Sequence, residues 1–367
     1  MYGYRLRQVR DLRRLTQAQL ARDLGIHQSA IAKIEQGSFE PSDDLLERIA
    51  LQTGFPKSFF NSEDTVDFPE GSLVLYRRQA KLAAGDANYL FQLAHIAFEH
   101  LFARNAKKVR SIPISIPRLQ DEDVITAAQL TRSSLNVEPL VPIQGFVRRV
   151  ERAGVICIAL GIDEIEGFDA FGTWVEKWPV IVFDGGKPID RIRLSLAHEL
   201  GHLVLHQAIR GSSSNAEDEA KAFAAELMMP EEAMHSEIVP PLTLTSLFDL
   251  KLRWGISMQA LIVRAHHLKI ITYNQYRYLM TSLSQQGYRK NEPGSDKLPP
   301  ERPRQLRQIA EMLYQGDIRR LAIDVGLPPQ LAMSLLETGA GEAPLFVSKV
   351  DVLSFPSASW QVRSTGK

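Results

Sequence analysis

The chain has 367 residues, 44% hydrophobic and 23% charged, with 43 Lys and Arg balancing 43 Asp and Glu. That length allows two or three domains of ordinary globular composition, and the zero net charge leaves only its distribution to speak about nucleic acid. No run of 18 or more apolar residues is present, which argues against a membrane span, and the single cysteine, Cys157, excludes an internal disulfide and fits a reducing compartment.

The first residues form an Arg-rich helix pattern rather than a charged-then-apolar signal, so export is not expected and the cytoplasm is the expected location. Residues 1–34 carry seven Lys and Arg against two acids, net +5, while residues 35–60 carry two against five, net −3. Positive charge is thus concentrated in one helical stretch. A first helix runs to about residue 15. Thr16 can cap a second over 17–24, with Gln19 at its third position, and Gly25 ends it. A third helix runs from about residue 28 to 35. Ala21 is small enough for two helices to cross, Gly25 turns the chain, and Ile31 fills the space between the helices. On these residues the stretch 3–55 resembles the XRE/Cro-type helix-turn-helix family. The resemblance implies that Gln28, Ser29 and Lys33 face bases and that Gln17 faces a phosphate. Gln can pair with adenine edges, Lys with guanine, and a helix N-terminus favours phosphate. Arg10 and Glu35 are expected to pair with each other. Operator binding implies a homodimer.

A polar, acid-containing linker over 61–71 precedes one long amphipathic helix over 86–107. His95 and His100 on it are five apart, hence on different faces, and are read as non-ligands. The stretch 111–118, with two prolines, is expected to be extended. Helices are expected over 121–135 and 141–153, then strands over 155–160, 170–175 and 179–183, rich in β-branched and aromatic residues.

The stretch 194–206 contains His198-Glu199-Leu200-Gly201-His202 in an apolar, Pro-free setting. Residues in a helix are about 100° apart, so His198 and His202 lie about 40° apart on one face and can share one Zn²⁺. Glu199 is badly placed as a ligand but can reach a metal-bound water as a general base. Two imidazoles and a carboxylate in an apolar interior need partners, and a metal supplies them. The third ligand must come from elsewhere. The next helical stretch, 215–229, stops at Pro230. On its wheel Glu217 lies about 60° from the centre of the apolar face, Glu219 about 100° and Glu226 about 120°, so Glu217 is the acid nearest the interior. Small residues at Gly201, Ala220 and Ala224 let the two helices approach closely.

These paired motifs, with the upstream stretches 155–159, 169–174 and 179–183, resemble the ImmA/IrrE group of metallopeptidases over about residues 120–290. The resemblance implies zinc held by His198, His202 and Glu217, with Glu199 as general base. Lys221 departs from the family, which usually carries Asn there; it either alters the surroundings of Glu217 or places an amine on the surface. His206 belongs to the pattern as a packing or supporting residue. The donor set suits zinc best without excluding manganese. His235, His266, His267 and Tyr273 are weak candidates for an oxyanion-stabilising role.

The stretch 291–304 reads as a Pro- and charge-rich linker, followed by short helices to about residue 336 and an irregular, Ser-rich end. The expected fold is α+β: an all-α helix-turn-helix domain over 1–60, a linker and connecting helix over 61–118, a mainly helical, zincin-like peptidase domain with a small β-sheet over 119–290, a linker over 291–304 and a C-terminal helical segment over 305–367. The resemblances imply a regulator that binds operator DNA and cuts a repressor or antitoxin protein, as in a stress response. The alternative is a non-proteolytic transcription factor whose metal domain is a sensor, although a sensor needs no base at Glu199.

Overall fold

The computed structural model describes residues 1–69, 82–109, 113–119, 122–162, 165–206, 214–289 and 291–336. The C-terminal stretch 338–367, read above as irregular, lies outside the described residues. Among the described residues no helix is long and apolar enough to cross a membrane.

Five helices open the chain: α1 Gly3–Leu12, α2 Gln17–Leu24, α3 Gln28–Glu35, α4 Asp43–Thr53 and the short α5 Lys57–Phe60. Thr16 and Gln19 form the expected capping box on α2, and Gly25 takes the left-handed conformation (φ 64°) that turns the chain into α3. Leu6, Val9, Leu20, Ala21, Ile31 and Ile49 are buried between them.

The connecting helix α6, Ala84–Ile96, does not continue as a regular α-helix. It passes into a π-helix over Ala97–Ala103. Such a wide turn is rare. Within it Glu99 is fully buried, gripped by Arg5 of α1 at 2.6 and 2.7 Å and by Arg104 at 2.7 Å. Burial alone would raise the Glu99 carboxyl, but His100 and Arg5 outweigh it and hold it well below the usual carboxylate range. His100, also buried, reaches the other way and donates to the Val325 carbonyl.

A three-stranded sheet divides the body: β1 Ile156–Leu160, β2 Ala170–Val175 and β3 Trp178–Asp184, in the order β1-β3-β2. β1 runs parallel to β3, with Ile156 opposite Val180, and β2 forms an antiparallel hairpin with it, Phe171 opposite Val182. All five residues of β1 are buried, so both faces are covered. Ile156, Ile158, Val180 and Val182 share one core with α1–α6 and with the last helices, α15 Gln305–Tyr314, α16 Ile318–Val325 and α17 Pro329–Leu336. Cys157, Ala159, Ile181 and Phe183 belong to a second core, built by the helices that lie between in sequence. These are α7 Val124–Ser134, α8 Phe146–Arg152, α9 Ile189–Leu205, α10 Ser214–Met228, α11 Glu231–Glu237, α12 Leu244–Trp254, α13 Met258–His267 and α14 Tyr273–Gln285.

The stretch 291–304 is laid against the body. Glu292 accepts from the first N–H groups of α13, at 2.7 and 3.1 Å, and pairs with the buried Lys251 at 2.9 Å. Glu301 accepts from Val147 N–H at 2.9 Å, and Glu151 accepts from Arg304 and Gln305 N–H at the start of α15.

Removing one partner of a buried ion pair strands the other charge. We therefore expect Glu99→Ala to lose about 3–5 kcal/mol of stability in denaturant unfolding, with the Arg5→Met, Glu99→Leu double variant recovering most of it. A single-variant loss below about 1 kcal/mol contradicts this role.

Candidate metal centre and nucleic-acid interface

Helix α9 is positioned by burial on nearly all sides. It packs between the sheet and α10, with Leu196, Leu200, Leu203 and Val204 buried. Gly201 is where α9 and α10 cross closely: a Cβ there would lie 2.9 Å from the Phe223 ring. That approach carries Glu217, in the first turn of α10, to the two histidines of α9.

The three donors meet. His198 Nε2 and His202 Nε2 are 3.1 Å apart, and Glu217 offers Oε2 to His198 and Oε1 to His202, each at 3.4 Å. Ligand atoms about 2.0–2.1 Å from a common tetrahedral centre are separated by roughly 3.3 Å, so these spacings fit one cation. His202 is buried, whereas His198 and Glu217 are half-buried, leaving the cluster open on one side.

The carboxylate of Glu199 points elsewhere, as its place on the helix requires. It is buried and accepts the Gly172 N–H of β2 at 2.7 Å. A Cβ at Gly172 would come within 3.2–3.3 Å of Glu199, so only glycine lets strand and helix meet without one of them yielding.

His206 and Glu219 complete the arrangement. Glu219 accepts from His206 Nε2–H at 2.8 Å, and His206 Nδ1 lies 3.1 Å from His202 Nδ1. With its proton on Nε2, His206 accepts at Nδ1 from His202, which leaves the lone pair of His202 on Nε2, facing the cluster. His206 is thus a supporting residue, and Glu219 is one that sequence reasoning passed over. Its wheel position at the border of the apolar face, with a histidine left over in the motif, was the only available signal. Lys221 pairs with Asp218 at 3.0 Å on the surface.

The weak candidates lie in other surroundings. His235 lines a cavity of about 830 Å³ with Glu231 and Glu232, and His266 packs against Tyr273 and Tyr276. A second acidic-histidine group, Asp64, His95 and Glu99, also gathers within 4.8 Å. There Arg5 and Arg104 already supply positive charge, which disfavours a cation.

In the N-terminal helices Gln28, Ser29 and Lys33 are exposed along α3, and Gln17 is half-buried at the start of α2. Gln28 Nε2 approaches Gln17 Oε1 at 3.4 Å, and Gln17 donates to Glu35 at 2.9 Å. Arg10 holds the same Glu35 at 2.6 Å, as expected. This chain of polar contacts fixes Gln17 and Gln28 side by side.

Residues 6–60 match the family described as Helix-turn-helix, and residues 164–266 match the IrrE N-terminal-like domain, a peptidase family. The chain therefore carries an XRE-type helix-turn-helix domain followed by an IrrE-like peptidase domain. No curated protein matches the chain.

Replacing Gly201 by Val should force α9 and α10 apart. We expect a loss of about 1–3 kcal/mol in thermal unfolding, together with a wider separation of Glu217 from His198 and His202. Unchanged stability contradicts the close crossing.

Proposed function

We propose that this protein is a DNA-binding regulator whose second domain is a zinc-dependent endopeptidase acting on a repressor or antitoxin protein. The observation that carries the reading is the convergence of His198, His202 and Glu217 donor atoms at 3.1–3.4 Å, with Glu199, next in sequence to His198, anchored by the Gly172 N–H. Zinc bound there would polarise the scissile carbonyl and acidify a water molecule. Glu199 takes the proton from that water and later hands it to the leaving amine, oriented meanwhile by the Gly172 N–H. His206 and Glu219 keep the His202 ring in one orientation and one tautomer. β2 is an edge strand of its sheet and runs beside α9, so an extended substrate can be laid along it.

The DNA-facing residues are Gln28, Ser29 and Lys33, with Gln17 at a phosphate. Operator binding is by a homodimer, as two half-sites require. Joining both activities in one chain raises the local concentration of peptidase near DNA-bound targets.

Glu199→Gln tests this reading. The variant should keep zinc and operator binding, lose at least about a hundredfold in peptide cleavage, and trap its uncut target for identification. Target-gene control in cells that is unchanged by the substitution overturns the peptidase reading and leaves a metal-dependent sensor.

A further inference from the structure

The edge strand β2 keeps step with the motif helix. Gly172 sits at Glu199, and two residues on Trp174 sits at Leu203, donating its indole N–H to the Leu203 carbonyl at 3.2 Å. Above that pinned ring lies the guanidinium of Arg118, 3.6 Å from the ring centroid. Arg118 is exposed, and its chain segment is tied to the same helix, because Leu119 N–H donates to the Val204 carbonyl at 3.0 Å. One of its nitrogens reaches the Lys177 carbonyl at 3.5 Å in the β2–β3 turn. The Lys177 ammonium rests near the Trp178 ring at 5.0 Å. Among the described residues, no carboxylate pairs with Arg118 or Lys177.

This is an ordered cation with donors to spare. Stacking on an indole holds the guanidinium plane while leaving its edge free, and that edge matches a carboxylate in a two-point contact. A second positive charge from Lys177 strengthens the local field. Both lie at the end of the strand that runs past Glu199.

We propose that Arg118, stacked on Trp174 and supported by Lys177, forms a subsite that receives an Asp or Glu side chain of the peptide lying along β2. The proposal rests on the peptidase reading and adds the substrate class to it. Arg118 acts on selection and leaves the bond-breaking step to Glu199.

The test uses the full-length, zinc-loaded protein and internally quenched peptides that differ only in carrying Glu, Gln or Lys at each position flanking the scissile bond. At one position wild type should prefer Glu over Gln in kcat/KM by about tenfold, a preference that shrinks as salt is raised. Arg118→Glu should abolish that preference and favour Lys at that position only, with the Glu-to-Gln ratios at the other positions as in wild type. A merely structural role for Arg118 would alter all peptides alike. If wild type and Arg118→Glu show the same Glu-to-Gln ratio, the subsite is wrong and the peptidase reading stands. If wild type cleaves none of the peptides, the peptidase reading fails and the subsite falls with it.

Discussion

Two imidazole nitrogens 3.1 Å apart, bridged by the two oxygens of one carboxylate, set the terms for the surrounding structure. Facing lone pairs repel unless a positive charge sits between them, and a buried ring such as His202 cannot turn to water for relief. Each neighbouring element answers part of this demand. Helical spacing puts the histidines on one face of α9. Gly201 lets α10 come close enough for Glu217 to reach both. Glu219 and His206 fix the remaining nitrogen of His202. Gly172 brings an edge strand against Glu199 and anchors that carboxylate through its N–H.

The second organising feature is the sheet, which serves two cores. One face carries the helices that bring His198, His202 and Glu217 together. The other closes a core shared by the N-terminal helices, α6 and the C-terminal helices. The N-terminal helices are consequently built into the body through Arg5 and Glu99, with α3 left exposed on the outside. The polar stretch after Phe60 takes part as well: Phe68 is buried and stacks on His95, and Arg5 donates to the Glu63 carbonyl. His95 and His100 are partners in this core, toward Asp64 and Val325.

What could be read in the sequence was what helical and strand periodicity encodes within one element. The two-histidine spacing, the Thr16–Gln19 cap, the Gly25 turn and the three strands are local, and each lies where its residues placed it. What could not be read depends on pairs distant in the chain. Arg5 and Glu99 are 94 residues apart, so neither the buried ion pair nor the π-helix it accompanies leaves a local mark. Composition made 291–304 look like a linker, because the contacts that tie it down reach far along the chain: Glu292 and Glu301 accept from backbone N–H groups of other helices, and Arg304 N–H donates to the Glu151 carboxylate. The stacking of Arg118 on Trp174 likewise joins residues 56 positions apart and leaves no local mark in the sequence.

The central claim is a single cation held by His198, His202 and Glu217. Zinc-edge X-ray absorption on purified wild-type and Glu217→Ala protein tests it most directly. The account predicts one zinc per chain with two imidazole nitrogens and a carboxylate oxygen at about 2.0–2.2 Å, and a lost oxygen ligand with lower occupancy in the variant. Protein that takes up no zinc, or a zinc shell that Glu217→Ala leaves unchanged, contradicts it.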